Sequence, residues 1–302
     1  MSLPLSDLRR YFGERMQENV TLAPYTSARI GGPADALVTA NSADELAETV
    51  ACLWNLETHF VLLGGGSNVL VGDRGVRGVV VLNRARAVRF DPGEPPAVWA
   101  ESGVIFSNLA HRAAAQGFAG LEWAASVPGT LGGAVYGNAG AFGGDMAGNL
   151  IQAEVQTRNG RKTWPVERLG YGYRTSVLKR GEAQAIVLSA CLRLEKSMPE
   201  TVALKMQEIT ERRKLTQPPG ASMGSMFKNP PGDSAGRLIE AAGLKGTRIG
   251  NAEISPKHAN FFINHGETRA ADVYALIQLA QKAVLEKFGV QLELEVELIG
   301  EW

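Results

Sequence analysis

The run Phe60-Val61-Leu62-Leu63-Gly64-Gly65-Gly66-Ser67-Asn68 sets the terms for the rest of the chain. Four apolar residues read as a short buried strand. The strand passes directly into three glycines and two small polar residues. Without Cβ atoms, consecutive glycines can turn their main-chain N–H groups into one concavity, which suits anionic oxygens. Upstream, Ser42-Ala43-Asp44-Glu45 has the form of a capping box. It opens a helix with Leu46, Val50, Leu53 and Trp54 on one face. Downstream, Val79-Val80-Val81-Leu82 predicts a second buried strand.

Three further glycine-rich turns repeat the theme: Arg29-Ile30-Gly31-Gly32-Pro33-Ala34, Ser126-Val127-Pro128-Gly129-Thr130-Leu131-Gly132-Gly133-Ala134 and Asn138-Ala139-Gly140-Ala141-Phe142-Gly143-Gly144. Pro128 is expected to start a short helix, whose end would favour a phosphate by roughly 0.3–1 kcal/mol. Any one of these could be a tight turn and nothing more. Four of them between residues 29 and 144 favour a dinucleotide held in an extended pose by several loops. No GK[ST] follows any of them, and Val69 breaks GxGxxG after Gly64 and Gly66. A P-loop kinase and a Rossmann dehydrogenase are thereby disfavoured.

Composition agrees with a local rather than a global binding device. The chain has 302 residues, 31 Lys+Arg and 31 Asp+Glu, so the net charge is zero. Such a balance offers no general field to nucleic acid or an anionic membrane. Apolar residues are 45% and charged residues 21%, which excludes disorder and coiled coil as the main architecture. Cys52 and Cys191, far apart and in apolar stretches, read as buried thiols of a reducing compartment. The chain start lacks the pattern of a secretory signal, and no uncharged apolar run reaches about 18 residues. A cytoplasmic protein is expected. His59, His111, His258 and His265 show no HExxH spacing, so no metal site is expected.

The remaining elements mix without strict βαβ order, which predicts an α+β fold. Helices are expected over 107–116, 199–214 and 270–288, with a short one capped by Ser234. Strands are expected over 151–158 and 185–194. A last strand alternates Val290, Leu292, Leu294, Val296 and Leu298 against Gln291, Glu293, Glu295 and Glu297. A domain boundary is placed near residue 196, with a first domain over 1–196, in subdomains of about 1–83 and 84–196, and a second over 197–302.

Gly220-Ala221-Ser222-Met223-Gly224 satisfies GxSxG, yet Pro218 and Pro219 exclude the strand that a nucleophile elbow needs. Gly224-Ser225-Met226-Phe227-Lys228-Asn229-Pro230 is denser in chemistry: Ser, Lys and Asn can meet one anionic ligand while Phe227 packs beneath. In Tyr171-Gly172-Tyr173-Arg174-Thr175-Ser176 the arginine can grip a carboxylate bidentately or simply cover aromatic surface. Glu295 reads by pattern alone as one carboxylate of a solvated face.

Taken together, these motifs resemble the UDP-N-acetylenolpyruvoylglucosamine reductase family, from about residue 20 to the end. The resemblance rests on the four glycine motifs, on Tyr173-Arg174-x-Ser176, on Gly224-Ser225-x-Phe227-Lys228-Asn229-Pro230 and on Leu292-x-x-Glu295-Val296. Ala235-Gly236-x-Leu238-Ile239 and Lys257-His258-Ala259-Asn260-Phe261 also match. It implies an FAD domain of the vanillyl-alcohol-oxidase (PCMH) type in two subdomains, followed by an α+β substrate domain. It also implies NADPH as reductant. Arg174, Ser225 and Glu295 fall on the family's catalytic positions, and Tyr173, Lys214 and Asn229 look like substrate contacts.

The flavin contacts implied are Arg29, then Gly64, Gly65, Gly66, Ser67 and Asn68. They continue with Ser126, Pro128, Gly129, Gly132 and Gly133, and end with Asn138, Gly140 and Arg174. With no His in the loops and both cysteines in predicted core elements, FAD is expected to be noncovalent. The implied partner is a small UDP-sugar, met by a monomer with neither nucleic acid nor membrane insertion. The chain resembles the short form of the family, without the insertion that brings a Tyr over the substrate. Gly137 also stands where a larger residue is common. Two other readings stay open: an oxygen-reoxidised sugar or alcohol oxidase on the same flavin fold, and a colourless nucleotide-binding regulatory module.

Overall fold

A computed structural model of the chain describes residues 3–302. They form two compact units. One takes in the residues up to Gln17, Leu37–Gly65 and Gly78–Arg212; the other takes in Glu18–Ala36, Gly66–Arg77 and Arg213–Trp302. The division differs from the boundary placed near residue 196, for two reasons of packing. The helix that starts at Pro199 puts Val202 and Met206 into the first core. The excursions 18–36 and 66–77 supply Ile30 and Leu70 to the second core.

The first unit carries six helices: α1 Leu5–Phe12, α2 Ala43–Asn55, α3 Phe106–Ala115, α4 Leu131–Gly137, α5 Met146–Asn149 and α6 Pro199–Thr216, the last four residues of α6 passing into the second unit. Its five-stranded antiparallel sheet runs Gly160–Pro165, Leu150–Thr157, Ile186–Arg193, Ala97–Glu101, Val88–Asp91. Leu109, Ala113, Leu131 and Val135 from α3 and α4 share one core with Val155 and Leu192 of that sheet. Phe106 meets Trp123 edge-on in the same core, with ring centroids 5.3 Å apart.

A four-stranded sheet runs Met16–Thr21, Pro33–Ala40, Val76–Asn83, Phe60–Leu63. Its last two strands fall where the two apolar runs predict strands; they are parallel, with Phe60 opposite Val79 and Leu63 opposite Leu82. Ser42 caps α2, its Oγ accepting from Glu45 N at 3.1 Å. The Glu45 carboxylate returns one residue further than a capping box requires, to Asn41 N at 2.8 Å. The buried Glu101 carboxylate accepts from Ala43 N at 2.8 Å and Ala87 N at 2.7 Å, tying the start of α2 to the 85–87 turn.

The second unit is smaller. Its antiparallel sheet runs Arg248–Ile249, Ala252–Ile254, Phe262–Asn264. Ser234 Oγ accepts from Arg237 N at the start of α7, Ala235–Ala241. Helix α8, Ala270–Phe288, buries Val273, Leu276, Ile277, Ala280 and Val284 and ends on Gly289 at φ 67°. Both Asp73 oxygens accept from its first turn, Ala270 N at 2.7 Å and Ala271 N at 3.0 Å.

The last segment departs from its expected form. Leu292 and Val296 are buried while Gln291 and Glu293 are exposed, so the alternation is real. The ladder, however, is confined to Glu297–Ile299, parallel to Val69–Val71. Before that the chain pairs elsewhere, through a single bridge between Leu294 and Phe227. A change of partner near Glu295 prevents one continuous strand. Among the described residues no helix is long and apolar enough to cross a membrane.

Candidate functional site

In the first unit, Gly65 and Gly129 lie backbone against backbone: a Cβ added to Gly65 would stand 2.9 Å from Gly129 Cα. A Cβ on Gly64 would strike the Thr130 hydroxyl, and one on Gly132 would come within 2.8 Å of Ser102 Cβ. Two of the glycine motifs are thus glycine-rich because their main chains touch or press on neighbours. The helix expected from Pro128 begins instead at Leu131, with Thr130 at the N-cap and Pro128 exposed in the preceding turn. Its first two N–H groups are already used, Leu131 N by Val104 O at 2.9 Å and Gly132 N by Ser102 O at 2.8 Å. Its N-terminus is therefore an anchor within the fold, contrary to the phosphate role expected for it. Ser126 Oγ, just before this turn, is buried with no hydrogen-bond partner. Such a hydroxyl costs stability unless a ligand meets it. The Ser126 end of this turn, which packs against the Gly64–Gly65 loop at Gly129, therefore fits a group that offers an acceptor oxygen.

The C-terminal end of α4 builds the other half of this unit's site. Asn138 ends the helix in the left-handed conformation at φ 46°, which Asn tolerates better than most residues. Its buried side chain donates from Nδ2 to Gly172 O at 3.0 Å and accepts at Oδ1 from Ala147 N at 3.0 Å. Tyr171 OH donates to Val135 O at 2.8 Å, and Ser176 Oγ donates to Tyr136 O at 2.6 Å. Burial, with Asp145 nearby, pushes the Tyr171 phenol well above its ordinary range and keeps it a donor.

Between these anchors, Gly172 and Thr175 pair as a bridge around a two-residue tip, Tyr173-Arg174. Arg174 sits there at φ 56°, a conformation that costs a non-glycine residue about 1–2 kcal/mol. Its Nη2 donates to Gly140 O at 2.6 Å, and its guanidinium lies 5.6 Å from the Tyr173 ring centroid. Tyr173 itself is 57% exposed. A strained, half-buried arginine thus stands beside an exposed tyrosine, with its guanidinium near the Tyr173 ring and one nitrogen spent on Gly140 O.

In the second unit, Gly66 has φ 59°, and a Cβ there would strike the Tyr25 carbonyl oxygen. Ser27 N donates to Gly66 O at 2.9 Å. Arg29 is exposed and left-handed at φ 56° in the adjoining turn, and Asn264 Nδ2 donates to the neighbouring Ala28 O at 2.7 Å. Ser67 is half-buried. Asn68, expected as a flavin contact, is used within the protein: Nδ2 donates to Glu295 O at 3.0 Å, and Glu297 N donates to Asn68 O at 3.0 Å. It fixes the main chain that carries Glu295.

Glu295 N donates to Met226 O at 3.0 Å, next to Ser225; both Ser225 and Glu295 are half-buried. Lys228 is paired with Glu293 at 3.3 Å. Asn229 is exposed and its Oδ1 accepts from Ala235 N at 3.1 Å, the first residue of α7. Lys214 is exposed, and its carbonyl accepts from Lys257 Nζ at 2.6 Å. The half-buried cation of that turn is its neighbour Arg213, whose pKa burial pulls down. The GxSxG stretch forms no strand–turn–helix elbow.

Cys52 in α2 and Cys191 in the sheet are only half-buried, less covered than expected. Among the described residues no group of three His, Cys, Asp or Glu could hold a metal ion. Sequence reasoning quoted Asn260 only within a matching motif and gave it no role; it is 3% exposed with both side-chain polar atoms bonded to Phe227. Its signal was a lone carboxamide inside the apolar run Ala259-Asn260-Phe261-Phe262-Ile263.

Residues 34–164 match the family described as an FAD binding domain, and residues 215–299 match the C-terminal domain of UDP-N-acetylenolpyruvoylglucosamine reductase. An α+β fold with these glycine loops and these two matches defines an FAD-dependent oxidoreductase. The chain is 46% identical to a UDP-N-acetylenolpyruvoylglucosamine reductase of Chloroflexus aggregans, over 94% of this chain and 97% of the relative. A relative of the same name from Rubrobacter xylanophilus is 43% identical over 93% of this chain and 94% of its own length. The crystal structure of UDP-N-acetylenolpyruvylglucosamine reductase from Thermus caldophilus superposes with a TM-score of 0.80. It is 39% identical and covers 94% of this chain and 99% of its own. The chain belongs to the UDP-N-acetylenolpyruvoylglucosamine reductase family.

Proposed function

We propose that this protein reduces the enolpyruvyl group of UDP-N-acetylglucosamine enolpyruvate with NADPH, giving UDP-N-acetylmuramate for peptidoglycan synthesis in the cytoplasm. The observation that carries this reading is Arg174, forced into the left-handed region and tied to Gly140 O at 2.6 Å within an otherwise matching reductase chain. The residues that would hold FAD noncovalently are Gly64–Gly65, Ser126, Gly129 and the main chain at Asn138–Gly140. The chemistry it supplies when bound is a two-electron relay, hydride in from NADPH and hydride out to the terminal vinyl carbon.

The chain's own residues do the rest. Arg174 grips the substrate carboxylate and stabilises the charge that builds on the adjacent carbon, as an oxyanion site does. Ser225 gives its hydroxyl proton to that carbon and regains one from solvent. Glu295 stands beside the developing charge, protonated or sharing a proton, because a bare carboxylate would repel it. Tyr173 and Asn229 contact the sugar nucleotide. The balance is one hydride from NADPH and one proton added across the double bond, leaving NADP⁺ and a lactyl ether.

Anaerobic stopped-flow spectroscopy near 450 nm tests this. NADPH should bleach the yellow band and the enolpyruvyl sugar nucleotide should restore it. Ser225→Ala should slow the restoration by roughly 10²–10⁴-fold, the worth of a general acid, while leaving the bleaching rate unchanged. Equal slowing of both phases removes Ser225 from its role. Restoration by oxygen but not by the enolpyruvyl substrate overturns the function.

A further inference from the structure

The Ser225 segment has an unusual support. Ser225 pairs with Phe261 on one side, and Phe227 pairs with Leu294 on the other. Met226 N donates to Asn260 O at 2.8 Å, Glu295 N donates to Met226 O at 3.0 Å, and Lys228 N donates to Glu293 O at 2.9 Å. The peptide groups of Phe227 have no strand main chain to complete this pattern. They meet the Asn260 side chain instead: Phe227 N donates to Oδ1 at 2.9 Å, and Nδ2 donates to Phe227 O at 2.8 Å. Phe227 is 1% exposed and Asn260 3%, so water cannot stand in for either bond.

One edge of a carboxamide presents an acceptor and an N–H donor side by side, as the N–H and C=O of a single strand residue do, so it can act as the absent strand. The same contacts settle its orientation, since Phe227 N–H requires the oxygen and Phe227 C=O requires the NH₂. Asn260 also holds its own main chain, with its N donating to His258 Nδ1 at 3.3 Å. The residue after Ser225 and the one after that are thus both bonded to one amino acid.

We propose that Asn260 is a positioning residue for the Ser225 hydroxyl, its carboxamide serving as the missing strand partner that fixes the backbone carrying Ser225. The inference rests on the reading of Ser225 as proton donor. It assigns Asn260 no contact with substrate or flavin. Asn260→Asp keeps the acceptor for Phe227 N–H but sets an acceptor against Phe227 C=O. Asn260→Ser, which keeps neither bond at the right reach, is the second variant.

Two measurements on the purified flavin-loaded protein decide the matter. Hydrogen–deuterium exchange of peptides covering 223–229 is read without substrate, and both stopped-flow phases are read with NADPH and the enolpyruvyl sugar nucleotide. In both variants, exchange at Met226 and Phe227 should rise at least tenfold with α8 unchanged. The restoration phase should slow at least tenfold while bleaching stays within twofold. Added to Ser225→Ala, Asn260→Asp should change restoration less than twofold, because the hydroxyl it would orient is gone.

Raised exchange with unchanged restoration overturns the proposal. So does equal slowing of both phases, full additivity with Ser225→Ala, or loss of flavin and fold in both variants, since each makes Asn260 structural only. If Ser225→Ala itself leaves restoration fast, the proton-donor reading fails. If Ser225→Ala is slow and Asn260→Asp is not, only this inference fails.

Discussion

Gly65→Ala is the sharpest test of how the flavin loops are built. The added methyl would stand 2.9 Å from Gly129 Cα and 3.4 Å from Gly129 C. Comfortable carbon–carbon contact is about 3.5–4.0 Å, so the loops must part by about 0.6–1.1 Å. Neither side has a flexible side chain to yield. Gly129 is held by Phe106 N, which donates to its carbonyl at 3.1 Å, and its φ of 97° leaves it little room to move. Overpacking against fixed backbone costs about 1–3 kcal/mol. A domain of this size shifts its midpoint by roughly 2–4 °C per kcal/mol, so Tm should fall by about 2–12 °C.

The parted loops should also hold FAD less well, read as a lower ratio of 450 to 280 nm absorbance after gel filtration. Gly133→Ala is the control. Its methyl meets only Thr130 Oγ1, at 3.7 Å, inside α4, where alanine favours the helix by about 1 kcal/mol over glycine. That variant should melt at the same temperature or higher. Full flavin content and a Tm within 1 °C for Gly65→Ala would refute the close-packed account of these glycines.

Glu101→Ala should lower stability by about 1–3 kcal/mol in urea, since the buried N–H of Ala43 would lose its partner while that of the exposed Ala87 can turn to water. His258 is held below its ordinary pKa of 6.5 chiefly by burial. The unfolded chain therefore takes up its proton first, so His258 stabilises the fold fully above pH 6.5 and this contribution is lost as pH falls from there through the folded pKa. Urea midpoints of the wild type should drop across that range, and those of His258→Gln should drop less; parallel curves would contradict it. Acid precipitation should release all of the yellow colour to the supernatant, and colour retained on the polypeptide would show covalent attachment.

Much of the fold was legible because its signals are local. The Phe60–Leu63 strand, the Ser42 and Ser234 caps and the Gly289 stop each involve neighbours a few residues apart, and each stands where the sequence puts it. The expected start of a helix at Pro128 was a local rule overruled at a distance. Residues 102–104 take the first N–H groups of α4, and the helix waits until Leu131. The long C-terminal strand was likewise a true pattern of burial with the wrong pairing, because side-chain alternation does not say which strand lies alongside.

By itself, then, the amino-acid order determined the α+β class and the glycine turns, since propensity and patterning act over a few residues; the candidate reactive side chains came from the family's motifs. The tertiary structure alone decided what those side chains are spent on. Asn68 holds Glu295 O across 227 positions, and Asn260 completes the backbone beside Ser225. A carboxamide looks the same in sequence whether it faces a ligand or a peptide group, and only the chain brought against it settles which.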